Sequence, residues 1–223
     1  MSGNRSTELS PMMSALLEID SRFIPAHWQP VALLELLEMR EVNTERVLRG
    51  TGIFREDIAS GELQISPAQY DRLLANADKL VCDPEINTLF GERLFPGHFG
   101  DLTLMLLNAQ NLYQALTILK DHAIRLTPLL HPRLQIDEKF CEVRWDYSFG
   151  PCTGERIILE SVVAGWLSFC KWRSPEPLPW RVQFQFSPSR DIAHYEALIA
   201  DDLSFGQPFN RLLIPANYLY VAW

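Results

Sequence analysis

At Pro128 the spacing of apolar residues changes period, and that change constrains the fold more than any other feature of the chain. Before it, Leu112, Ala115, Leu116, Leu119, Ala123 and Leu126 recur at i, i+3, i+4 and i+7, on one face of a helix. After it, apolar residues alternate with polar ones. Leu134 and Ile136 are interleaved with Arg133, Gln135 and Asp137; Val143, Trp145, Tyr147 and Phe149 are interleaved with Arg144, Asp146 and Ser148. Helices first and strands later is an α+β pattern. The spacing predicts an N-terminal helical half, at about residues 10–127, packed on a small antiparallel sheet with a central buried helix, at about residues 132–215. The whole of 1–223 reads as a single domain.

Turn and cap residues punctuate the helical half. Ser10-Pro11 predicts a helix start, with Leu16, Leu17, Ile19, Phe23 and Ile24 on its apolar face and Pro25 as its stop. Further starts fall at Gln29-Pro30, Asn43-Thr44, Ser66-Pro67 and Asp83-Pro84. Gly50-Thr51-Gly52 breaks the short helix at Val47 and Leu48, leaving Ile53, Phe54 and Ile58 to anchor a loop or turn. Pro96-Gly97-His98-Phe99-Gly100 reads as a tight turn. Leu102, Leu104, Met105, Leu106 and Leu107 then predict a short helix buried on most sides. Asn111 is an N-cap with Gln114 three residues on, opening a helix that runs to Leu126.

In the second half, Asp137-Glu138-Lys139 is short enough for a hairpin turn. Residues 155–171 are apolar all round, hence a central helix. Pro175, Pro177 and Pro179 forbid its continuation, and Trp180, Val182, Phe184 and Phe186 predict a third strand. Asp191 is a cap for a helix through Tyr195, Leu198 and Ile199. Short strands are expected at 203–205 and 212–214, and a last helical turn after Pro215.

The chain is 47% hydrophobic and 22% charged, enough apolar content for a sizeable core. Its net charge of −8 and pI near 5.1 repel a phosphate backbone, so this segment is a poor nucleic-acid binder by itself. Cys82, Cys141, Cys152 and Cys170 show no C-x-x-C spacing. The polar start MSGNRSTELS has no secretory apolar region, and no run of residues is apolar over a membrane span. The expectation is a cytoplasmic protein with reduced thiols and no membrane partner.

No catalytic signature is present. There is no G-x-S-x-G or H-E-x-x-H, and Gly50-Thr51-Gly52 follows a helix and lacks the third glycine of a dinucleotide fingerprint. The expectation is a protein that is not an enzyme and needs no cofactor. The strands do supply an aromatic wall: Trp145, Tyr147 and Phe149 with Trp180, Phe184 and Phe186, to which the central helix adds Trp166 and Phe169. The wall is either packed core or the lining of a cavity between sheet and helices. Under the second alternative the ligand-contacting candidates are His98 and Phe99 at the mouth, then Trp145, Tyr147, Phe149, Trp166 and Phe184. Arg93, Arg125 and Arg156 are candidate carboxylate receptors, against the alternative of surface ion pairs. His122, beside the helical stripe, is a candidate haem ligand without a partner histidine.

Several pieces in order resemble a known family. They are Leu48-Arg49-Gly50-Thr51-Gly52-Ile53, Ile65-Ser66-Pro67, Asp83-Pro84-Glu85, Phe90-Gly91-Glu92-Arg93-Leu94, Phe99-Gly100, Asn111-Leu112-Tyr113-Gln114-Ala115-Leu116 and Phe205-Gly206-Gln207-Pro208-Phe209-Asn210. Over roughly residues 30 to 215 the chain resembles the ligand-binding and dimerisation domain of AraC-type transcriptional regulators, the subgroup called arabinose-binding. The resemblance implies an unidentified small-molecule effector, a homodimer, and DNA contact only through a C-terminal domain of two helix-turn-helix units. That domain is not found before Trp223, which fits a cut chain or a stand-alone sensor. The founding member of the wider group senses with a β-barrel, for which this chain has too few strands. The other readings are a ligand-free interaction or dimerisation module and a haem or gas sensor.

Overall fold

The computed structural model describes residues 17–223, apart from 82, 84, 98, 189–194, 196–198, 200 and 201. The expected helix start at Ser10 therefore lies outside the described residues, as do His98 and most of the helix expected after Asp191. Leu17 to Arg22 form no helix; the chain passes instead into a two-residue strand, β1 (Ile24–Pro25), paired antiparallel with β2 (Gln64–Ile65). A β-branched pair of buried residues, Ile24 opposite Ile65, holds this ribbon where the apolar spacing suggested a helix.

The remaining helices follow their caps. Helix α1 (Gln29–Met39) starts with proline in its first turn, and α2 (Thr44–Leu48) is capped by Asn43, whose side chain accepts from the Arg46 N–H. The segment expected as a loop after Gly52 contains α3 (Arg55–Ala59). Helix α4 (Pro67–Leu80) has a complete capping box between Ser66 and Gln69. Helix α5 (Glu85–Leu94) leads to the turn and to α6 (Asp101–Leu107). Helix α6 is not buried all round: Leu102 and Leu106 face the core, whereas Leu104 is 59% and Met105 41% exposed. Asn111 caps α7 (Leu112–Asp121), but Gln114 accepts from the Gln110 N–H rather than from Asn111. The helix expected to reach Leu126 breaks at His122, and α8 (Ala123–Leu126) completes it.

The sheet follows the alternation. Strands β3 (Leu130–Ile136) and β4 (Phe140–Tyr147) form the expected hairpin, with the Asp137 carboxylate accepting from the Lys139 and Phe140 N–H groups at the turn. Beyond α9 (Glu155–Arg173) come β5 (Arg181–Gln183), β6 (Asp202–Ser204) and β7 (Arg211–Pro215), giving the order β3-β4-β7-β5-β6. The sheet is not purely antiparallel: β5 and β6 run parallel, because the long connection between them brings the chain back in the same direction. One row of apolar residues, Leu134, Val143, Leu212, Val182 and Leu203, crosses all five strands in register. Val143, Val182 and Leu212 are fully buried, each contributing about 1.5–3 kcal/mol. The opposite face is charged, with Arg211 bonded to Glu142 and Arg181 to Asp202. A single turn of 3-10 helix follows Pro215.

Helix α9 is central as expected, but its principal partner is α5, with α4 behind it; α7 and α8 pack on β3. Two glycines let α5 and α9 touch. A Cβ on Gly165 would lie 2.1 Å from the Gly91 carbonyl oxygen, and one on Gly91 would lie 2.2 Å from the Ser161 carbonyl oxygen. The α9 N-terminus is held from α4: the Asp71 carboxylate accepts from Thr153 N–H (3.1 Å), Thr153 Oγ1 (2.8 Å) and Gly154 N–H (2.7 Å). A carboxylate there meets both the free N–H groups and the positive end of the helix dipole.

Candidate functional site

Among the described residues, a cleft of about 460 Å³ opens where β1, β2, the start of α1 and the end of α8 meet. Phe23, Ile24, Pro25 and Trp28 form one wall, Gln64 another, and Ile124, Arg125 and Pro128 the third, with Leu17 at the rim. The walls are fixed to each other beneath the cleft. Gln29, next to Trp28 and only 3% exposed, donates through Nε2 to the Leu126 carbonyl (2.6 Å), next to Arg125. Its Oε1 accepts from the Tyr70 hydroxyl (3.0 Å) on α4. Burial of Tyr70 drives its pKa above the ordinary phenol range, so it stays a neutral donor. The strand register, Ile24 opposite Ile65 and Pro25 opposite Gln64, sets the third side.

The electrostatics of the cleft come down to one cation. Arg125 is exposed, its Cζ lies 5.4 Å from the Trp28 ring centroid, and it has no carboxylate partner among the described residues. Neighbouring Asp121 is paired with Lys120 at 3.2 Å. Of the other candidate arginines, Arg93 donates to the Leu89 carbonyl within its own helix, and Arg156 lies over Phe186 and 3.8 Å from Glu160. His122 is the residue at which α7 ends and α8 begins. No cluster of metal ligands occurs among the described residues.

The aromatic wall is distributed over three places. Trp145 and Tyr147 lie on the inner face of β4 with Cys141 and Val143. Trp166 packs edge-on to Phe95 at 5.6 Å and against Phe169 at 5.7 Å, within the helical layer. Phe184 stacks on Phe186 at 4.8 Å beside Phe205. Two of the expected residues back the cleft: Phe149 touches Phe23 at 6.1 Å, and Phe99 meets Trp28 edge-to-face at 5.5 Å. The indole N–H groups of Trp145, Trp166 and Trp180 are buried without a hydrogen-bond partner among the described residues.

A second polar group lies inside the protein. Glu160, 4% exposed on α9, accepts from Asn87 Nδ2 of α5 (2.7 Å) and from the Tyr195 hydroxyl (3.2 Å). Burial raises its pKa above the ordinary carboxylate value, against the opposing effects of Asn87, Arg156 and Tyr195. Burial likewise pushes the thiols of Cys141 and Cys152 up to about 12 and that of Cys170 well above its ordinary value, which disfavours the reactive thiolate at these three residues. Trp28 and Ile124 carry no sequence signal of their own, and Phe23 reads only as part of a helix face, since the cleft joins segments about a hundred residues apart.

Comparison with known proteins agrees with this architecture. The chain is 23% identical over 208 residues to the ornithine utilization regulator of Pseudomonas aeruginosa, covering 93% of this chain and 61% of that protein. Its fold is similar to that of the transcriptional regulator CdpR from the same organism, with a TM-score of 0.61 at 14% identity over 87% of this chain and 56% of that one. The chain thus spans less than two thirds of the length of either relative. Residues 42–221 match the arabinose-binding domain of AraC transcription regulators, the N-terminal domain, and the chain belongs to that family.

Proposed function

We propose that residues 1–223 act as one effector-sensing domain of a transcriptional regulator, which binds a small molecule in the cleft beside Trp28 and dimerises, with DNA contacted by a region outside these residues. The observation that carries this reading is the cleft itself. Its volume suits a small ligand, its lining is largely apolar, and Gln29 ties its walls together. The cleft also has a physical connection to the end of the chain. Helix α8 lines it, and the start of α7 is bonded to the last residues, Tyr113 N–H to the Leu219 carbonyl and Trp223 N–H to the Gln110 carbonyl. A ligand that favours one placement of α8 would bias that connection by its differential affinity.

Dimerisation is supported by family membership and by the apolar side chains that α6 and its surroundings leave exposed: Leu104, Met105 and the Tyr113–Tyr220 pair at 5.2 Å. A melting-temperature screen of the full chain against small organic compounds tests the sensing claim. Stabilisation by at least one compound, abolished in Trp28→Ala, is expected; a screen with no stabilising compound contradicts it and favours a ligand-free interaction module. Light scattering that finds a monomer at all concentrations contradicts the dimer. A specific observation favours a second location: the indole N–H of Trp166, buried in the helical layer without a hydrogen-bond partner among the described residues, would suit a polar guest there. Stabilisation that survives Trp28→Ala but is lost in Trp166→Phe would select it.

A further inference from the structure

We infer that the cleft beside Trp28 selects an amphipathic carboxylate: a compact apolar acid whose body lies against Phe23, Trp28 and Ile124 and whose carboxylate meets the Arg125 guanidinium. This deepens the sensing reading and rests on it. The charge on the cleft is unbalanced in one direction. The protein has 28 acidic residues against 20 lysines and arginines, yet Arg125 has no carboxylate among the described residues. Its partner there is the Trp28 ring, 5.4 Å from Cζ, which restrains the guanidinium plane without using its hydrogen bonds. A planar fork of N–H donors beside an apolar wall matches a carboxylate bidentately.

The same lining argues against a polyhydroxylated ligand. Among the described residues that line the cleft, Gln64 is the only polar side chain besides Arg125; the others are apolar or aromatic. A sugar buried there would leave several hydroxyls without partners, and each unmet group opposes binding. A volume of about 460 Å³ has room for a benzoate-sized or branched aliphatic acid.

The test is titration of the full chain, by calorimetry and by melting temperature, with benzoate and 4-methylpentanoate, their neutral amides, and L-arabinose. The acids are expected to bind at least about tenfold more tightly than the amides, as a charge-assisted bidentate contact implies. Arg125→Gln should erase that preference while leaving the ligand-free melting temperature unchanged, because Arg125 is exposed. Amides that bind as well as the acids, with Arg125→Gln without effect, would overturn the inference and leave the sensing reading standing. Binding of L-arabinose in preference to both would do the same. No binding by any of these probes would overturn the inference and leave the sensing reading to the wider melting-temperature screen; a crystal structure with residues 1–16 filling the cleft would remove both.

Discussion

Replacing Gly165 by alanine tests the claim that α9 is seated by direct backbone contact with α5. In most helices this change is favourable by about 1 kcal/mol, because alanine is the better helix former. Here the new Cβ would sit 2.1 Å from the Gly91 oxygen, 2.5 Å from its carbonyl carbon and 3.0 Å from its Cα. All three are main-chain atoms, so no side chain can rotate away. Ordinary contact begins near 3.4 Å, and the helices must part by more than 1 Å. A gap of 0.5–1 Å forfeits a quarter to a half of the dispersion energy of the atoms across it. Ile86, Phe90 and Leu94 on the buried face of α5 lie along that interface, and so does the Asn87–Glu160 hydrogen bond.

Overpacking of this kind costs about 1–3 kcal/mol and more where only backbone can yield. Taking the top of that range against the gain of about 1 kcal/mol in helix propensity, the net loss is about 2 kcal/mol, a fall of roughly 4–8 °C in melting temperature for a chain of this size. Thermal melts followed by circular dichroism, with urea titration alongside, measure it. Gly91→Ala should behave alike, its Cβ falling 2.2 Å from the Ser161 oxygen, and the double variant should lose less than the sum, since both methyl groups open one gap. A Gly165→Ala protein as stable as the parent, or more so, would refute the close crossing of α5 and α9.

Three further outcomes are expected. Asp71→Ala removes the acceptor for three hydrogen bonds at the start of α9 and should lower stability by about 1–2 kcal/mol in urea titration, an effect Asp71→Asn restores in part. The Glu160 carboxyl has its pKa raised in the fold, so its contribution to stability is fully present below its ordinary pKa of 4.5 and is lost as pH rises through the raised value. Asn87, Arg156, Tyr195 and Asp78 face it, and the difference in melting temperature between the parent and Glu160→Gln should change across that window; a pH-independent difference contradicts the assignment. Cys141, Cys152 and Cys170 should resist alkylation in the native protein at pH 8 and react on unfolding, read by mass spectrometry.

What was legible in the sequence is what is local. Ser66-Pro67 reads as a helix start, and Ser66 does cap α4, with Gln69 three residues on completing a capping box. The alternation from Val143 to Tyr147 needed only its own period to become β4, and the short turn at Asp137 fixed the hairpin register. Expectations failed where a distant partner decides. Leu17 to Ile24 have helical spacing, but Ile24 is claimed by Ile65, forty-one residues away. Leu104 and Met105 sit in an apolar run, yet no element among the described residues covers them, so a helix expected to be buried leaves one face exposed there. The parallel pairing of β5 and β6 depends on the course of the chain between them, on which neither strand carries information.

The candidate site follows the same division. A period-2 run of aromatics points to a wall but not to what faces it, and Trp145, Trp166 and Phe184 went to three different neighbourhoods because β4, α9 and the end of β5 each found its own partners. The cleft was hidden for the opposite reason. Its lining residues are unremarkable singly, and only the bond from Gln29 to the Leu126 carbonyl, across ninety-seven residues, brings Trp28 beside Arg125. That bond makes a demand of its own. A buried amide accepting from Tyr70 and donating to a helix-terminal carbonyl leaves two orphans when deleted. Gln29→Leu should therefore loosen α8 against α1 and cost about 2–4 kcal/mol. Tyr70→Phe, which orphans only the amide oxygen, should cost about half as much, and the double variant should recover part of the sum. Strict additivity in that cycle would mean that Gln29 and Tyr70 do not act as one clamp beneath the cleft.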